Sequence, residues 1–111
     1  MVREFDHEFK CNRNLCVAMG SLANEWTQLL GTSSYDYGNS ISTSDDGSVY
    51  ITGYTNGDLD GQTNSGGGTD AFVSKFDSDG SKQWTQLLGT SQGDYGNSIS
   101  TSDDGSVYIT G

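Results

Sequence analysis

Basic residues are scarce in this sequence. Five Lys and Arg stand against fifteen Asp and Glu, which gives a formal net charge of −10. Proteins that bind duplex nucleic acid rely on Lys and Arg to neutralise phosphates, so nucleic acid is not an expected partner. An acidic surface of this kind keeps a protein in solution and attracts cations.

Long apolar runs are missing as well. The sequence has no run of about 18 apolar residues, so it predicts no membrane-spanning helix. Residues 1–25 carry charges but lack the apolar segment of a secretory signal peptide, so no signal peptide is predicted in them.

Histidine and cysteine occur only near the start of the chain, as His7, Cys11 and Cys16. A structural zinc site needs four ligands, so these three residues do not predict one. Catalytic triads built on His or Cys are absent from the rest of the chain. Asp36 and Asp94 could in principle serve glycoside hydrolysis, but their duplicated positions favour a structural role. The sequence therefore predicts a protein that is not an enzyme.

An internal repeat dominates the rest of the sequence. Residues 26–53 recur as residues 84–111, 58 positions later, and only two of the 28 aligned positions differ. A fixed period of this length predicts repeat units that stack on one another, because one unit cannot bury its own apolar face. Residues 1–23 do not match the repeat and are interpreted as an arm that is either disordered or a short helix.

Short strands separated by turn residues fill the repeat. Asp-Gly pairs between β-forming runs predict hairpin turns, since glycine takes the positive φ that such turns need. The pattern predicts strands at residues 25–30, 38–44, 48–54, 70–77, 82–88, 96–102 and 106–110. The last four fill one period, so the sequence predicts an all-β chain of four-stranded antiparallel blades of β-propeller type. Residues 24–69 would form a partial blade with a Gly/Asn/Asp-rich loop, and residues 70–111 a complete blade.

Large apolar residues at repeated positions are expected to anchor blade against blade. Trp26 and Trp84 lead this set because they occupy the same place in the two copies of the repeat. Blade packing on both faces predicts further anchors among strand residues: Phe72, Phe76, Ile51 and Ile109.

Several short motifs resemble a known family. Residues 70–73 read Asp-Ala-Phe-Val, Trp84 and Leu88-Gly89 follow, and residues 107–111 read Val-Tyr-Ile-Thr-Gly. In this order and spacing they are similar to the bacterial β-propeller repeat known as SBBP, from about Trp26 to the end of the chain. The resemblance implies a protein that is extracellular or on the bacterial cell surface and carries several such repeats, but it implies no single chemistry. Together with the lack of catalytic motifs, it predicts a non-enzymatic structural or binding module.

A candidate calcium loop follows the first copy of the repeat. Residues 56–61 read Asn-Gly-Asp-Leu-Asp-Gly, which is similar to the opening of a calcium-binding loop. Asn56, Asp58 and Asp60 would supply side-chain oxygens, and Gln62 a backbone carbonyl. The twelfth position is Gly67 rather than glutamate, so the bidentate ligand of such loops is missing. The alternative is a surface turn that uses Asp, Asn and Gly for backbone reasons. No cofactor is required, and calcium is the one that the sequence suggests.

Tyrosines near strand ends are the candidate recognition surface, for a protein or a glycan: Tyr35, Tyr37, Tyr54 and Tyr95. Closed propellers usually have about four to eight blades, so fewer than two repeats predict self-association or association with further repeats. Two alternatives stay open: a calcium-stabilised extracellular module, and a truncated gene fragment with no function of its own.

Overall fold

The computed structural model describes the backbone of residues 2–12 and 15–111 and the side chains from Trp26 onward. Strands and one single 3-10 turn, Leu59–Gly61, make up the regular structure of this described part, which confirms the all-β prediction. The strands are β1 (Val2–Asn12), β2 (Leu15–Trp26), β3 (Asp36–Thr43), β4 (Val49–Thr55), β5 (Asp70–Phe76), β6 (Lys82–Leu88), β7 (Ser98–Thr101) and β8 (Val107–Thr110).

The central unit is a four-stranded antiparallel sheet in the order β3-β4-β5-β6. Strands β3 and β4 are joined at Gly47 (φ 83°), and β5 and β6 at Gly80 (φ 84°). Gly105 (φ 85°) joins β7 to β8 in the same way. Only glycine adopts this left-handed conformation without steric cost, so the Asp-Gly pairs mark the turns as predicted. We call the β3–β6 sheet the blade and the β7–β8 pair the half-blade.

The structure divides the strands differently from the sequence prediction. The predicted boundary at residue 70 falls inside the blade, because β4 pairs with β5 over seven residues across the loop 56–69. The half-blade is a separate two-stranded sheet, so residues 70–111 do not form one four-stranded unit. Loop-closure entropy rises only slowly with loop length, so the long loop does not prevent this pairing. The short connection after β6 instead carries the chain to the start of the next blade.

The region before the blade also differs from the prediction. The backbones of β1 and β2 pair in antiparallel fashion, whereas a short helix or a disordered arm was expected. The strand predicted at residues 25–30 is wrong beyond Trp26, since residues 27–35 contain no strand. The counterparts of residues 27–30 in the second copy, residues 85–88, pair with β5 as part of β6. A strand needs such a neighbour for its backbone hydrogen bonds, which explains why one sequence takes two conformations.

Two apolar clusters cover the two faces of the blade. On one face Tyr50 and Val73 pack with Ile99 of the half-blade, joined by Val107 and Ile109. On the other face the cluster consists of Leu59, Phe72 and Leu87, with Leu30 and Ile51 packed against it.

Of the six predicted anchors, Phe72, Ile51 and Ile109 belong to these clusters. Phe72 and Phe76 are buried, and the Trp26 ring lies 5.9 Å from that of Phe76. The Trp26 indole N–H also donates a hydrogen bond to the Ser78 carbonyl at 3.1 Å. Trp84 lies 6.2 Å from the Tyr50 ring and stays partly exposed.

Equivalent strands of the two repeats lie side by side. The Asn39 amide donates to the Gly96 carbonyl at 2.8 Å, and the Ser42 and Thr101 hydroxyls are 2.9 Å apart. These pairs are 57 and 59 residues apart in the chain, close to the repeat length. The half-blade therefore stacks on the blade as the next blade of a propeller would.

Candidate functional site

The loop of the predicted calcium site lies between β4 and β5, and its carboxylates bind protein groups. One Asp58 oxygen accepts a hydrogen bond from the Asn64 N–H at 2.8 Å. Asp60 forms an ion pair with Lys82 and accepts a hydrogen bond from the Thr85 hydroxyl. Partial burial raises the pKa of Asp60, but the bonds to Lys82 and Thr85 and the charge of Lys82 outweigh it and lower that pKa. Asp60 therefore ties the loop to β6.

The other two predicted calcium ligands also face protein groups. The Asn56 side-chain oxygen accepts a hydrogen bond from the Thr69 hydroxyl at 3.1 Å. The Gln62 side chain lies along β6, where it accepts a bond from the Leu87 N–H at 2.8 Å and donates to the Thr85 carbonyl. Gln62 thus extends the hydrogen bonding of an edge strand, a role that sequence reasoning missed.

Among residues 26–111, no group of three or more His, Cys, Asp or Glu side chains could hold a metal ion. In the folded loop, Asn56, Asp58 and Asp60 each have at least one side-chain oxygen that accepts a hydrogen bond from a protein donor. Calcium binding by this loop stays a prediction.

Asp36 and Asp94 occupy equivalent positions in the two repeats, and each accepts hydrogen bonds from the loop that precedes its strand pair. Asp36 accepts a hydrogen bond from the Thr32 N–H at 2.7 Å, and Asp94 accepts one from the Thr90 N–H at 2.6 Å. Both bonds span four residues at equivalent places in the repeat. These hydrogen bonds indicate that the two carboxylates have a structural role, which is to stabilise the loops at residues 32–36 and 90–94.

Asp46 and Asp104 occupy equivalent positions in the two Asp-Asp-Gly turns. Hydrogen bonds from the Ser44 hydroxyl and the Ser48 N–H lower the pKa of Asp46 from its usual 3.8 to about 2. Bonds from Ser102 and Ser106 lower the pKa of Asp104 to about 2 as well. The ionised carboxylates thus stabilise both turns.

A pH titration tests this role of the two turns. Because both pKa values are lower in the folded chain, their stabilisation is present above pH 4 and is lost as the pH falls towards 2. We expect the urea midpoint to fall across this window. The double variant Asp46→Asn/Asp104→Asn keeps an acceptor oxygen but cannot titrate, so its midpoint should fall less. If the urea midpoint of wild type and that of the double variant depended equally on pH, the stabilising role of the Asp46 and Asp104 carboxylates would be contradicted.

Three of the four tyrosines predicted as a recognition surface come together in the fold. The Tyr37 and Tyr54 rings stack with centroids 4.7 Å apart, and the Tyr95 ring meets Tyr54 edge-on at 4.9 Å. Register places Tyr37 directly opposite Tyr54 on neighbouring strands, and Tyr95 comes from the second repeat. We call Tyr37, Tyr54 and Tyr95 the tyrosine cluster.

The tyrosine cluster is open to solvent. Tyr37 and Tyr95 are each about half exposed, and Tyr54 is partly buried between them. Tyr35 is more exposed than either, and the described ring contacts do not include it. Stacked and edge-on rings at these distances attract one another, so the cluster forms one contiguous aromatic surface at the end of the blade.

The described residues include no helix that is long and apolar enough to cross a membrane. Histidine and cysteine lie only before Trp26 in the sequence, so the two repeat copies carry neither.

Comparison with known proteins accounts for most of the repeat region. The model of the SBBP β-propeller repeat matches residues 25–60 and residues 83–111, which is more than half of the chain. No curated protein matches the chain significantly. The matched segments are the two copies of the repeat, of which the second ends within its period. The chain belongs to the SBBP β-propeller repeat family and carries fewer than two of its repeats.

Proposed function

We propose that this chain is a non-enzymatic structural and binding module of a bacterial surface or exported β-propeller protein. The tyrosine cluster carries the binding half of this proposal, since it places three aromatic rings from two repeats at one exposed surface. Its side chains lie outside the two apolar clusters that hold the blade together. The extracellular or cell-surface location rests on what the family resemblance implies.

The chemistry of the tyrosine cluster favours a glycan as its ligand, with a protein as the other partner class. Tyrosine offers a flat apolar ring and a polar hydroxyl, and its few rotatable bonds lose little entropy on binding. A sugar ring presents an apolar C–H face that can lie on such a ring and hydroxyls that can bond to its edge. The stacked geometry is present before the ligand arrives, which lowers the cost of binding.

Ligand-observed saturation-transfer NMR with a panel of neutral oligosaccharides tests the glycan proposal. We expect signal transfer from wild-type protein and roughly tenfold weaker binding for Tyr37→Ala and Tyr95→Ala, because each loses about 1.4 kcal/mol of aromatic contact. Tyr35→Ala is the matched control, since it removes an exposed tyrosine outside the tyrosine cluster. Loss of binding in Tyr35→Ala alone, or no transfer to any sugar, would contradict the proposal. The second result would favour a protein partner or a fragment with no function of its own.

A further inference from the structure

Equivalent residues of the two repeats differ sharply in exposure. Ile99 is 8% exposed, whereas Ile41, its counterpart 58 residues earlier, is 52% exposed. Tyr50 is 4% exposed, whereas its counterpart Tyr108 is 61% exposed. The chemistry is the same in each pair, so the difference comes from the neighbours.

The buried members of these pairs form the interface between the blade and the half-blade. Ile99 projects from the half-blade onto Tyr50 and Val73 of the blade. The exposed members, Ile41 and Tyr108, are the repeat equivalents of these two surfaces, and within residues 26–111 they belong to neither apolar cluster. We call the side of β3–β4 that carries Ile41 the Ile41 face, and the side of β7–β8 that carries Tyr108 the Tyr108 face.

We propose that a second copy of this chain docks head-to-tail, with its Ile41 face on the Tyr108 face of the first copy. The inference rests on the repeat-module function proposed above and names the partner and the surface. The interface inside one chain supplies the model, because residues 36–53 and 94–111 are identical in sequence. The Tyr108 face is the repeat equivalent of the Tyr50 surface that Ile99 covers, so it offers an equivalent apolar contact to Ile41 of a second copy.

Internal symmetry also predicts the hydrogen bonds of this contact. Within the chain, Asn39 donates to the Gly96 carbonyl, and the Ile99 N–H donates to the Ser40 hydroxyl at 3.3 Å. The equivalent bonds one repeat later would join two copies. Asn97 of the first copy would donate to the Gly38 carbonyl of the second, and the Ser98 hydroxyl of the first would accept from the Ile41 N–H of the second. Asn97 and Ser98 are both exposed in the chain.

Two features predict that the contact is weaker than the one inside the chain. Val73 lies on β5, and the half-blade has no counterpart of that strand among the described residues. The contact would also bring Asp103 and Asp104 beside the equivalent turn of the second copy. In the chain, Lys75 lines the cleft of about 340 Å3 between two such turns, and the described residues include no counterpart of Lys75 beside the half-blade. Salt should therefore strengthen association, because it screens this repulsion.

A mixing experiment tests the head-to-tail order. Light scattering after size exclusion measures the molar mass of wild type, Ile41→Asp and Tyr108→Asp over a range of concentration and salt. The wild-type protein should reach a molar mass above that of a dimer, because a head-to-tail contact leaves one unoccupied face at each end of the assembly. Each variant alone should be monomeric, and an equimolar mixture should form dimers and stop there, since one intact face of each kind remains.

The controls separate docking from folding and from ligand binding. Thr63→Asp adds the same charge on an exposed loop and should associate like wild type. Ile41→Thr keeps a β-branched side chain and replaces Ile41→Asp if circular dichroism shows that the latter is unfolded. Monomeric wild type in high salt, association of either variant alone, or a monomeric mixture would each overturn the proposal. Ile41 and Tyr108 lie outside the tyrosine cluster, so intact sugar binding beside failed docking would leave the proposed function standing.

Discussion

Leu87→Ala is expected to lower the free energy of unfolding by about 3 kcal/mol. Leu87 is 8% exposed and packs with Leu59 and Phe72 in the cluster on the Ile41 side of the blade. Truncation removes buried methyl groups and leaves a cavity that the neighbouring strands cannot fill without moving. Urea unfolding followed by far-UV circular dichroism measures the loss.

Leu29→Ala is the matched control for this prediction. Leu29 holds the same place in the first copy of the repeat, in the shared sequence Trp-Thr-Gln-Leu-Leu, but it is 94% exposed. We expect its truncation to change the unfolding free energy by less than about 0.5 kcal/mol. Similar losses in the two variants would mean that residues 27–30 pack as β6 does, which would contradict the fold described for the first copy.

Gly53→Ala is expected to destabilise the chain by about 3 kcal/mol, and its matched partner Gly38→Ala by almost nothing. The two glycines face each other across β3 and β4. A Cβ on Gly53 would lie far inside contact distance of the Tyr37 carbonyl oxygen, which is backbone and cannot rotate away. A Cβ on Gly38 would have its nearest neighbour at 3.8 Å, an ordinary contact with Ile51.

The loss of stability in Gly53→Ala arises from the register shift between Gly38 and Ser40. This shift makes the pairing of β3 with β4 irregular beside Gly53. The same close approach recurs one repeat later between Gly111 and the Tyr95 carbonyl. Thermal unfolding of the two alanine variants measures the difference. A stable Gly53→Ala protein with unchanged Tyr37–Tyr54 stacking, seen by near-UV circular dichroism, would show that this register shift is absent.

The fold places the residues of the two predicted sites differently. Positions near strand ends and loops suggested Tyr35, Tyr37, Tyr54 and Tyr95, and the fold places the rings of the last three in contact. The spacing in the 56–62 loop suggested converging ligands, but Asp60 and Gln62 reach across to β6. The spacing within the loop carries no information about β6, because β6 lies more than 20 residues further along the chain.

The sequence by itself determined the repeat, the all-β class and the position of each tight turn. Those features depend on local chemistry: glycine allows positive φ, and short alternating runs favour strands. Tertiary structure alone decided which strands share a sheet and which copy of an identical residue is buried. Leu29 and Leu87, or Ile41 and Ile99, have the same side chain and differ only in what packs on them. Burial depends on neighbours distant in sequence, so two nearly identical segments can end in different environments.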